Sequence, residues 1–460
     1  MKIFNDDTIV AVSTPPGESG IGIVRVSGRE AIAVADLVFR AKSGQKLCDC
    51  RSHSIYYGHI ANDDKVVDEV LVSLMRGPKT FTREDIVEIN CHGGSTVIKA
   101  ILDLVVAKGA RIAEQGEFTK RAFLNGRIDL VQAEAILDII TSQTEAGLRV
   151  AQRQLDGVLS KRIAEFKERL LAIVANIEAG INFPGEDISP SQLKAIENEV
   201  ANLALEFKAV LKNSHQGHLL RDGMRVVICG KPNVGKSSLM NKFLKYERVI
   251  VSPHAGTTRD VVEATVNIGG VPITLIDTAG IIESEDELMN KSVDKTFHYL
   301  NIADVVLLVI DGSKDINSED LRIIKNIEGK KVISVINKVD ISEEVTSKQV
   351  NEVVSSFKVV RASASSGKGI EDIEKALLQI ISDGAIRLEN IFLSNSRHIE
   401  SLERTFDLLE EAVKMLKQGV SEDILVVNLK DSIIQLGRIT GDEYSEELLE
   451  SIFSKFCIGK

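Results

Sequence analysis

With 460 residues, 44% hydrophobic and 27% charged, the chain is long enough for two to four domains with cores of their own. A formal net charge of −11 excludes a protein that coats nucleic acid through bulk electrostatics, so any RNA contact must come from a local basic patch or a partner. No apolar run approaches about 18 residues and no charged-then-apolar leader stands at the start, so a soluble, cytoplasmic chain with no membrane contact is expected.

Up to about residue 120, short strand patterns alternate with helical ones. Residues 8–13, 21–27, 54–60, 66–75 and 86–90 read as strands, with Val70, Val72 and Leu74 sharing one face. Residues 31–39 and 96–108 read as helices, the second carrying Val97, Ile98, Ile101, Leu102 and Val105 on one side. This is an α/β module. Gly93 and Gly94 open its second helix, either as a plain strand-to-helix turn or as an anion site.

From Leu130 to about Gly180 the apolar period lengthens to about 3.6, giving one long amphipathic helix or a pair broken near Gly157. Pro184-Gly185 stops it. Ser189-Pro190-Ser191-Gln192 is a capping box with Pro at the first helical position, starting a helix that runs to about Asn213. Residues 214–222 read as a loop.

Gly230-Lys231-Pro232-Asn233-Val234-Gly235-Lys236-Ser237 follows an apolar strand over residues 225–229 and precedes a helical pattern through Leu239, Phe243 and Leu244. Backbone N–H groups of such a loop, Ser238 included, point at a phosphate, and the helix N-terminus adds partial positive charge. Lys236 is the point charge for the β- and γ-phosphates, and Ser237 is a Mg²⁺ ligand. Thr257-Thr258-Arg259-Asp260 stands at the distance of a first switch, where Thr258 completes the Mg²⁺ shell only with a γ-phosphate present. Asp277-Thr278-Ala279-Gly280 ends a strand over 271–276, placing Asp277 beside the metal and the Gly280 N–H near the γ-phosphate.

Asn337-Lys338-Val339-Asp340 closes the strand over 331–336. A buried carboxylate at Asp340 accepts from N1 and N2 of guanine and rejects adenine, which lacks that pair of donors. Ser363-Ala364-Ser365 fits the loop that backs the guanine. Four motifs in this order specify a GTP-binding domain.

Past Gly384 the chain turns helical again over 397–417, 422–436 and 446–456. Neither helical block carries a complete core, so a helical domain interrupted by the GTPase module is expected. The last helix takes Ser445 as N-cap and buries Leu448, Leu449, Ile452, Phe453 and Phe456. Cys457, one turn past Phe453, reads as a small buried hydrophobe, or as a thiol for chemistry beside a flexible glycine and a cationic terminus. The five cysteines, Cys48, Cys50, Cys91, Cys229 and Cys457, show no paired metal spacing and read as reduced thiols.

Further stretches carry a resemblance over the whole length: Asp7-Thr8-Ile9-Val10-Ala11 with Thr14-Pro15-Pro16-Gly17, residues 22–28, 116–125 and 129–136, Gly256-Thr257-Thr258-Arg259-Asp260, and the terminal Cys457-Ile458-Gly459-Lys460. With these the chain resembles the MnmE (TrmE) family of bacterial tRNA-modifying GTPases. The resemblance implies an α/β plus all-α chain: a folate-binding and dimerisation domain over 1–122, a helical domain over 123–218 and 384–460, and a Ras-like P-loop GTPase domain over 219–383. It implies a homodimer in which a tetrahydrofolate derivative, 5-formyl or 5,10-methylene, is bound at Arg25, Glu88, Arg127 and Lys460. It also implies an FAD-containing MnmG-type partner, with which an aminomethyl-type group is added to C5 of the wobble uridine of certain tRNAs. Arg127 stands where the family often has Lys.

The same resemblance implies GTPase domains that meet across the dimer and a K⁺ ion in the place of an arginine finger, held by Asn233, Ser252, His254 and Thr257. Asn233 read alone could as well bond its own loop. Ile281 replaces the water-orienting Gln of Ras-like proteins, and Met289 stands where the family has its catalytic Glu. A thioether cannot orient water by charge-assisted hydrogen bonds, leaving Glu287, Glu285 or Glu283 for that role, with Glu287 preferred. The GTPase motifs alone also fit a regulatory or ribosome-assembly GTPase with no folate substrate.

Overall fold

The structure, a computed structural model, describes residues 7–63, 65–182, 189–212, 214–246, 249–250, 262–277, 298–342, 344–381 and 393–460. In chain order its elements are β1 (Ile9–Val12), β2 (Gly22–Ser27), α1 (Ala31–Val38), β3 (Phe39–Ala41), β4 (Ser54–Asn62), β5 (Lys65–Met75), β6 (Ile86–Cys91), α2 (Ser95–Ala107), β7 (Arg111–Ile112), α3 (Glu117–Leu124), α4 (Leu130–Thr141), α5 (Glu145–Leu155), α6 (Val158–Asn182), α7 (Pro190–Lys212) and α8 (Ser214–Asp222). There follow β8 (Met224–Cys229), α9 (Lys236–Tyr246), β9 (Val249–Ile250), β10 (Val262–Ile268), β11 (Val271–Asp277), β12 (Val305–Asp311), α10 (Ser318–Asn326), β13 (Val332–Asn337), α11 (Ser347–Val353), β14 (Lys358–Arg361), α12 (Ile370–Ile381), α13 (Ser396–Gln418), α14 (Glu422–Thr440) and α15 (Glu446–Phe453).

The first compact unit takes Met1–Leu137, Ser160–Ala164 and Leu436–Lys460. Its seven strands pair in the order β3-β4-β5-β6-β2-β1-β7, antiparallel except for the parallel pair β1/β7. The period-two pattern of β5 does what alternation demands: Val70, Val72 and Leu74 enter the core under α1 and α2, while Leu71 faces solvent. On β1, Ile9 and Ala11 enter a small second cluster with Ala113, Phe118 and Phe81. The C-terminal helix belongs to this unit: Leu449, Ile452, Phe453 and Phe456 pack with Leu130 and Ala133 and against Phe123 and Leu124. Ser445 Oγ caps α15 by accepting from the Leu448 N–H at 3.3 Å, as its sequence foretells.

The second unit takes Asp138–Leu159 and Glu165–Gln435. Its sheet runs β14-β13-β12-β8-β11-β10-β9; β11, β8, β12, β13 and β14 are parallel, and β10 pairs antiparallel with both β11 and β9. Strands covered on both faces must be apolar throughout, and every residue of β12 and β13 is buried. Helix α7 lies along α13, and Phe166 of α6 stacks on Phe207 of α7 with ring centroids 4.4 Å apart. Arg169 reinforces that pairing through Glu199 and Glu206. Ser189 and Gln192 exchange the reciprocal bonds of a capping box at the start of α7.

Two segments differ from the sequence expectation. Residues 130–180 form three helices rather than one or two. Besides the break at Gly157, which has φ +77°, a second falls at residues 142–144, where Thr144 Oγ1 accepts the Gly147 N–H at 3.1 Å and starts α5 afresh. Residues 214–222 are helix α8 rather than a loop. Its polar composition hides a short apolar edge, since Leu219 and Leu220 join the core of β8 and β11. Arg221 Nε also meets Asp138 Oδ1 at 2.7 Å. Local propensity is overridden by this burial.

Phe207→Ala should destabilise the second unit by about 3 to 5 kcal/mol, because it empties a fully buried ring site. Denaturant unfolding followed by circular dichroism measures this, and a loss below about 1 kcal/mol would mean that the α6/α7 contact carries little.

Candidate functional site

Parallel strands end their carboxyl edge in loops, and there the sequence motifs converge. Asp277 ends β11, Asp311 ends β12 and Asn337 ends β13, with Asp311 and Asn337 directly paired in register. Between them the segment 230–235 links β8 to α9.

Asn337 is almost wholly buried, and its side-chain amide is bonded at both ends. Nδ2 donates to the Val234 carbonyl at 2.8 Å, and Oδ1 accepts the Ala364 N–H at 2.9 Å. One amide thus ties the 230–235 loop, the 337–340 loop and the 363–365 loop together. Gly235 has φ +101°, and a Cβ there would stand 2.3 Å from Asn337 Nδ2, so only glycine permits this approach.

Lys236 is buried, with Nζ donating to the Gly230 and Lys231 carbonyls at 2.9 and 2.8 Å. Ser237 Oγ donates to Asp277 Oδ2 at 2.7 Å, a pair of hard oxygens at a helix start of the kind Mg²⁺ takes beside phosphates. Val234 is buried, whereas Asn233 and Ser238 are exposed. Asn233 has φ +63°, and its carbonyl accepts from Lys338 Nζ at 2.7 Å. Burial and an apolar setting push the Cys229 thiol, at the end of β8, up to about 12, which leaves it inert.

Asp340 is exposed, against the expectation of a buried acceptor. It stands on the loop beyond β13, and Ser365 Oγ donates to its Oδ2 at 2.8 Å. Hydrogen bonds from Ser363 and Ser365 hold its carboxyl below the usual Asp range. Residues 252, 254, 257, 258 and 278–280, together with Ile281, Glu283, Glu285, Glu287 and Met289, lie outside the described residues.

Sequence reasoning missed two acidic residues. Asp311, nearly buried, accepts from Lys338 Nζ at 2.7 Å, and Asp320, at the capped start of α10, pairs with Lys231 Nζ at 2.6 Å. An aspartate closing an otherwise wholly apolar strand was the available signal for the first.

In the first unit, Arg25 on β2 faces Glu88 on β6 as a cross-strand pair, Nε to Oε1 at 2.8 Å. The Arg25 guanidinium also lies over the Phe118 ring at 5.6 Å, and the Arg127 guanidinium lies over the Phe81 ring at 5.3 Å. Phe81 and Phe118 belong to one apolar cluster, so the structure brings both cations to the same small patch. Arg127 Nη1 is further held by the Thr80 carbonyl.

The C-terminal tail comes to that patch as well. The Gly459 carbonyl accepts from Arg25 Nη1 at 3.1 Å and Ser13 Oγ at 3.2 Å, and Ile458 bridges Gln115. Gly459 has φ +96° with Val12 O where a Cβ would go. Lys460 follows directly, its N–H on the Cys457 carbonyl. Cys457 is exposed, which corrects the reading of a buried hydrophobe: the helix ends at Phe453, and the chain turns so that Phe456 fills the core in its place. Among the described residues no disulfide forms, and burial pushes the Cys91 thiol up to about 11.

The family described as GTP-binding protein TrmE N-terminus matches residues 8–127, and the MnmE helical domain family matches residues 130–457. A tRNA modification GTPase MnmE of Alkaliphilus metalliredigens is 44% identical over 461 residues, covering 100% of both chains. The chain belongs to the MnmE family of tRNA modification GTPases. The family's protein from Clostridioides difficile is 40% identical over 459 residues, again covering 100% of both chains. Among solved structures, the G domain of the FeoB iron transporter of T. maritima matches 35% of this chain and 99% of that domain, at 24% identity and a TM-score of 0.28. As a member of the family the chain is a GTP hydrolase that combines an N-terminal α/β domain, a helical domain and a G domain. No described helix is long and apolar enough to cross a membrane.

Because its folded pKa is depressed, Asp340 contributes stability present above the ordinary Asp value of 3.8 and lost as pH falls through the lower folded value. Ser365→Ala should move that pKa upward, toward 3.8, in a carboxylate-detected NMR titration. No movement would reject the Ser365 hydrogen bond as a cause.

Proposed function

We propose that the chain is a K⁺-dependent GTPase which, with an FAD-containing partner of the MnmG type, installs a (carboxymethyl)aminomethyl group at C5 of the wobble uridine of certain tRNAs. The observation that carries this reading is the meeting of Arg25, Glu88, Arg127 and the Gly459-Lys460 tail round one apolar cluster, in a chain related over its full length to tRNA modification GTPases. An apolar patch rimmed by two guanidinium groups and a carboxylate suits an anionic ligand with a planar heteroaromatic ring, such as the pyrimidinone of a tetrahydrofolate derivative, in its 5-formyl or 5,10-methylene form. The bound folate supplies a one-carbon unit. Arg25 and Glu88 orient the ligand, and the exposed Cys457, two residues before the anchored Gly459, is a thiol available to that chemistry.

At the second site the N–H groups of residues 233–238 and the start of α9 receive the phosphates of GTP. Lys236 carries the charge for the β- and γ-oxygens, while Ser237, with Asp277 beside it and Thr258 from the first switch, would hold Mg²⁺. Bound Mg²⁺ neutralises charge on those oxygens. From their sequence motif, Thr278, Ala279 and Gly280 are assigned to GTP, the Gly280 N–H to its γ-phosphate, and Glu287 is the preferred residue for orienting water. Asn337 keeps the loops in register, Lys338 covers the base, Asp340 reads its N1 and N2 donors, and Ser363, Ala364 and Ser365 back it. The left-handed turn at Asn233 leaves its side chain exposed, as a K⁺ ligand beside Ser252, His254 and Thr257 requires.

Hydrolysis is driven by dimerisation of the G domains within a cytoplasmic homodimer. In domain terms, 1–122 bind folate and dimerise, 219–383 hydrolyse GTP, and the helical parts 123–218 and 384–460 connect them.

Mass spectrometry of wobble uridines from cells lacking the chain should show the C5 modification gone, with Arg25→Ala failing to restore it. Full modification in those cells rules the proposal out. Titration with 5-formyltetrahydrofolate separates the rival, a regulatory or ribosome-assembly GTPase, which predicts no binding. For the cation, GTP turnover should be at least about tenfold faster in K⁺ than in Na⁺, and Asn233→Ala should erase the difference. Equal rates in the two salts for the unmutated chain reject the K⁺ assignment.

A further inference from the structure

We propose that Asp311 is a positioning residue of the nucleotide site: seated by Ser313, it holds the Lys338 ammonium against the Asn233 carbonyl and so clamps the phosphate loop to the base-recognition loop. The inference rests on reading that site as the GTP site.

Lys338 Nζ has two acceptors at 2.7 Å, Asp311 Oδ2 from β12 and the Asn233 carbonyl from the loop after β8. Lys338 and Asn233 both adopt positive φ, +64° and +63°; Asn enters this region readily, whereas Lys enters it at a cost and keeps it when its surroundings impose it. The ammonium of Lys338 thus links its own strained backbone to the left-handed turn at Asn233.

Asp311 is itself fixed. Its Oδ1 accepts the Ser313 N–H at 3.1 Å and Ser313 Oγ at 2.7 Å, while Oδ2 takes Lys338. The adjoining backbone is locked to the same strand end, the Gly312 N–H donating to the Asn337 carbonyl at 2.7 Å. Burial pushes the Asp311 carboxyl up, but hydrogen bonds from Lys338 and Ser313 outweigh it and hold the group below the usual Asp range. It therefore stays ionised, the state in which it can keep a lysine in place. A half-buried charge pair of this kind contributes orientation more than net stability, whereas deleting Lys338 leaves the buried Asp311 carboxylate uncompensated. The Asp311 carboxylate has no part in the hydrogen bonds of the Asn337 side-chain amide, so the clamp is separate from the amide that ties the loops together.

The test uses the full-length chain and a fluorescent GDP analogue, with its dissociation rate as readout. Asp311→Asn should dissociate GDP about tenfold faster than the unmutated chain, the loss of one charge-assisted hydrogen bond. Lys338→Ala should be at least as fast, and the double variant no faster than Lys338→Ala alone, since both changes open the same clamp. Ser313→Ala should give a smaller acceleration in the same direction. It decides the matter if Asp311→Asn does not fold, by circular dichroism. A rate within twofold of the unmutated chain for a folded Asp311→Asn overturns the proposal, as do additive effects in the double variant or, where Asp311→Asn is unfolded, an unchanged rate for Ser313→Ala. Failure of the unmutated chain to bind GDP would instead sink the reading of the site.

Discussion

The second unit depends on one side chain, the amide of Asn337. An amide offers both donor and acceptor from a rigid plane, and here each end is used by a different loop, Val234 on one side and Ala364 on the other. Because the group is buried, either bond left unmade would cost the desolvation of an unpaired polar atom, so the three loops hold one arrangement. The strands deliver the loops to one edge of the sheet, and Asn337 sets their spacing. Gly235 and the charged tethers from Asp311 and Asp320 serve that spacing.

The first unit solves a different problem. Its cations sit on aromatic faces at the rim of a small apolar cluster, a setting where guanidinium groups stay charged, exposed on one side and limited in orientation. The Arg25/Glu88 pair follows from strand register, and the tail anchor follows from the packing of α15 on α3 and α4, which brings residues 457–460 back to the start of the chain. A charged network of Asp7, Arg111, Glu117 and Arg121, the last two buried, fixes α3 beside β1, and so fixes Phe118 beneath Arg25. Charge pairs of this sort set orientation more reliably than they add stability.

Much was legible in the residues. The alternation of β5, the apolar run of β13, the capping box at Ser189, the N-cap at Ser445 and the phosphate-loop spacing each encode a local geometry that neighbouring residues enforce. What misled was polarity at short range. The second break near Thr144 depends on a hydroxyl turned back onto its own helix start, and α8 exists because two leucines reach a core built from strands that come later in the chain. Cys457 looked like a continuation of an apolar stripe, but that stripe had already been closed by Phe456.

The sequence by itself determined the motifs, their order, and the charge types available to each site, because these follow from composition and spacing. Only the tertiary structure decided that the Gly459 carbonyl is the group that meets Arg25, that Phe118 and Phe81 lie under the two guanidinium groups, that Asp311 reaches Lys338, and that Asp340 stands exposed. Residues 434 positions apart, such as Arg25 and Gly459, become neighbours through sheet register and helix packing, and neither leaves a trace in local patterns.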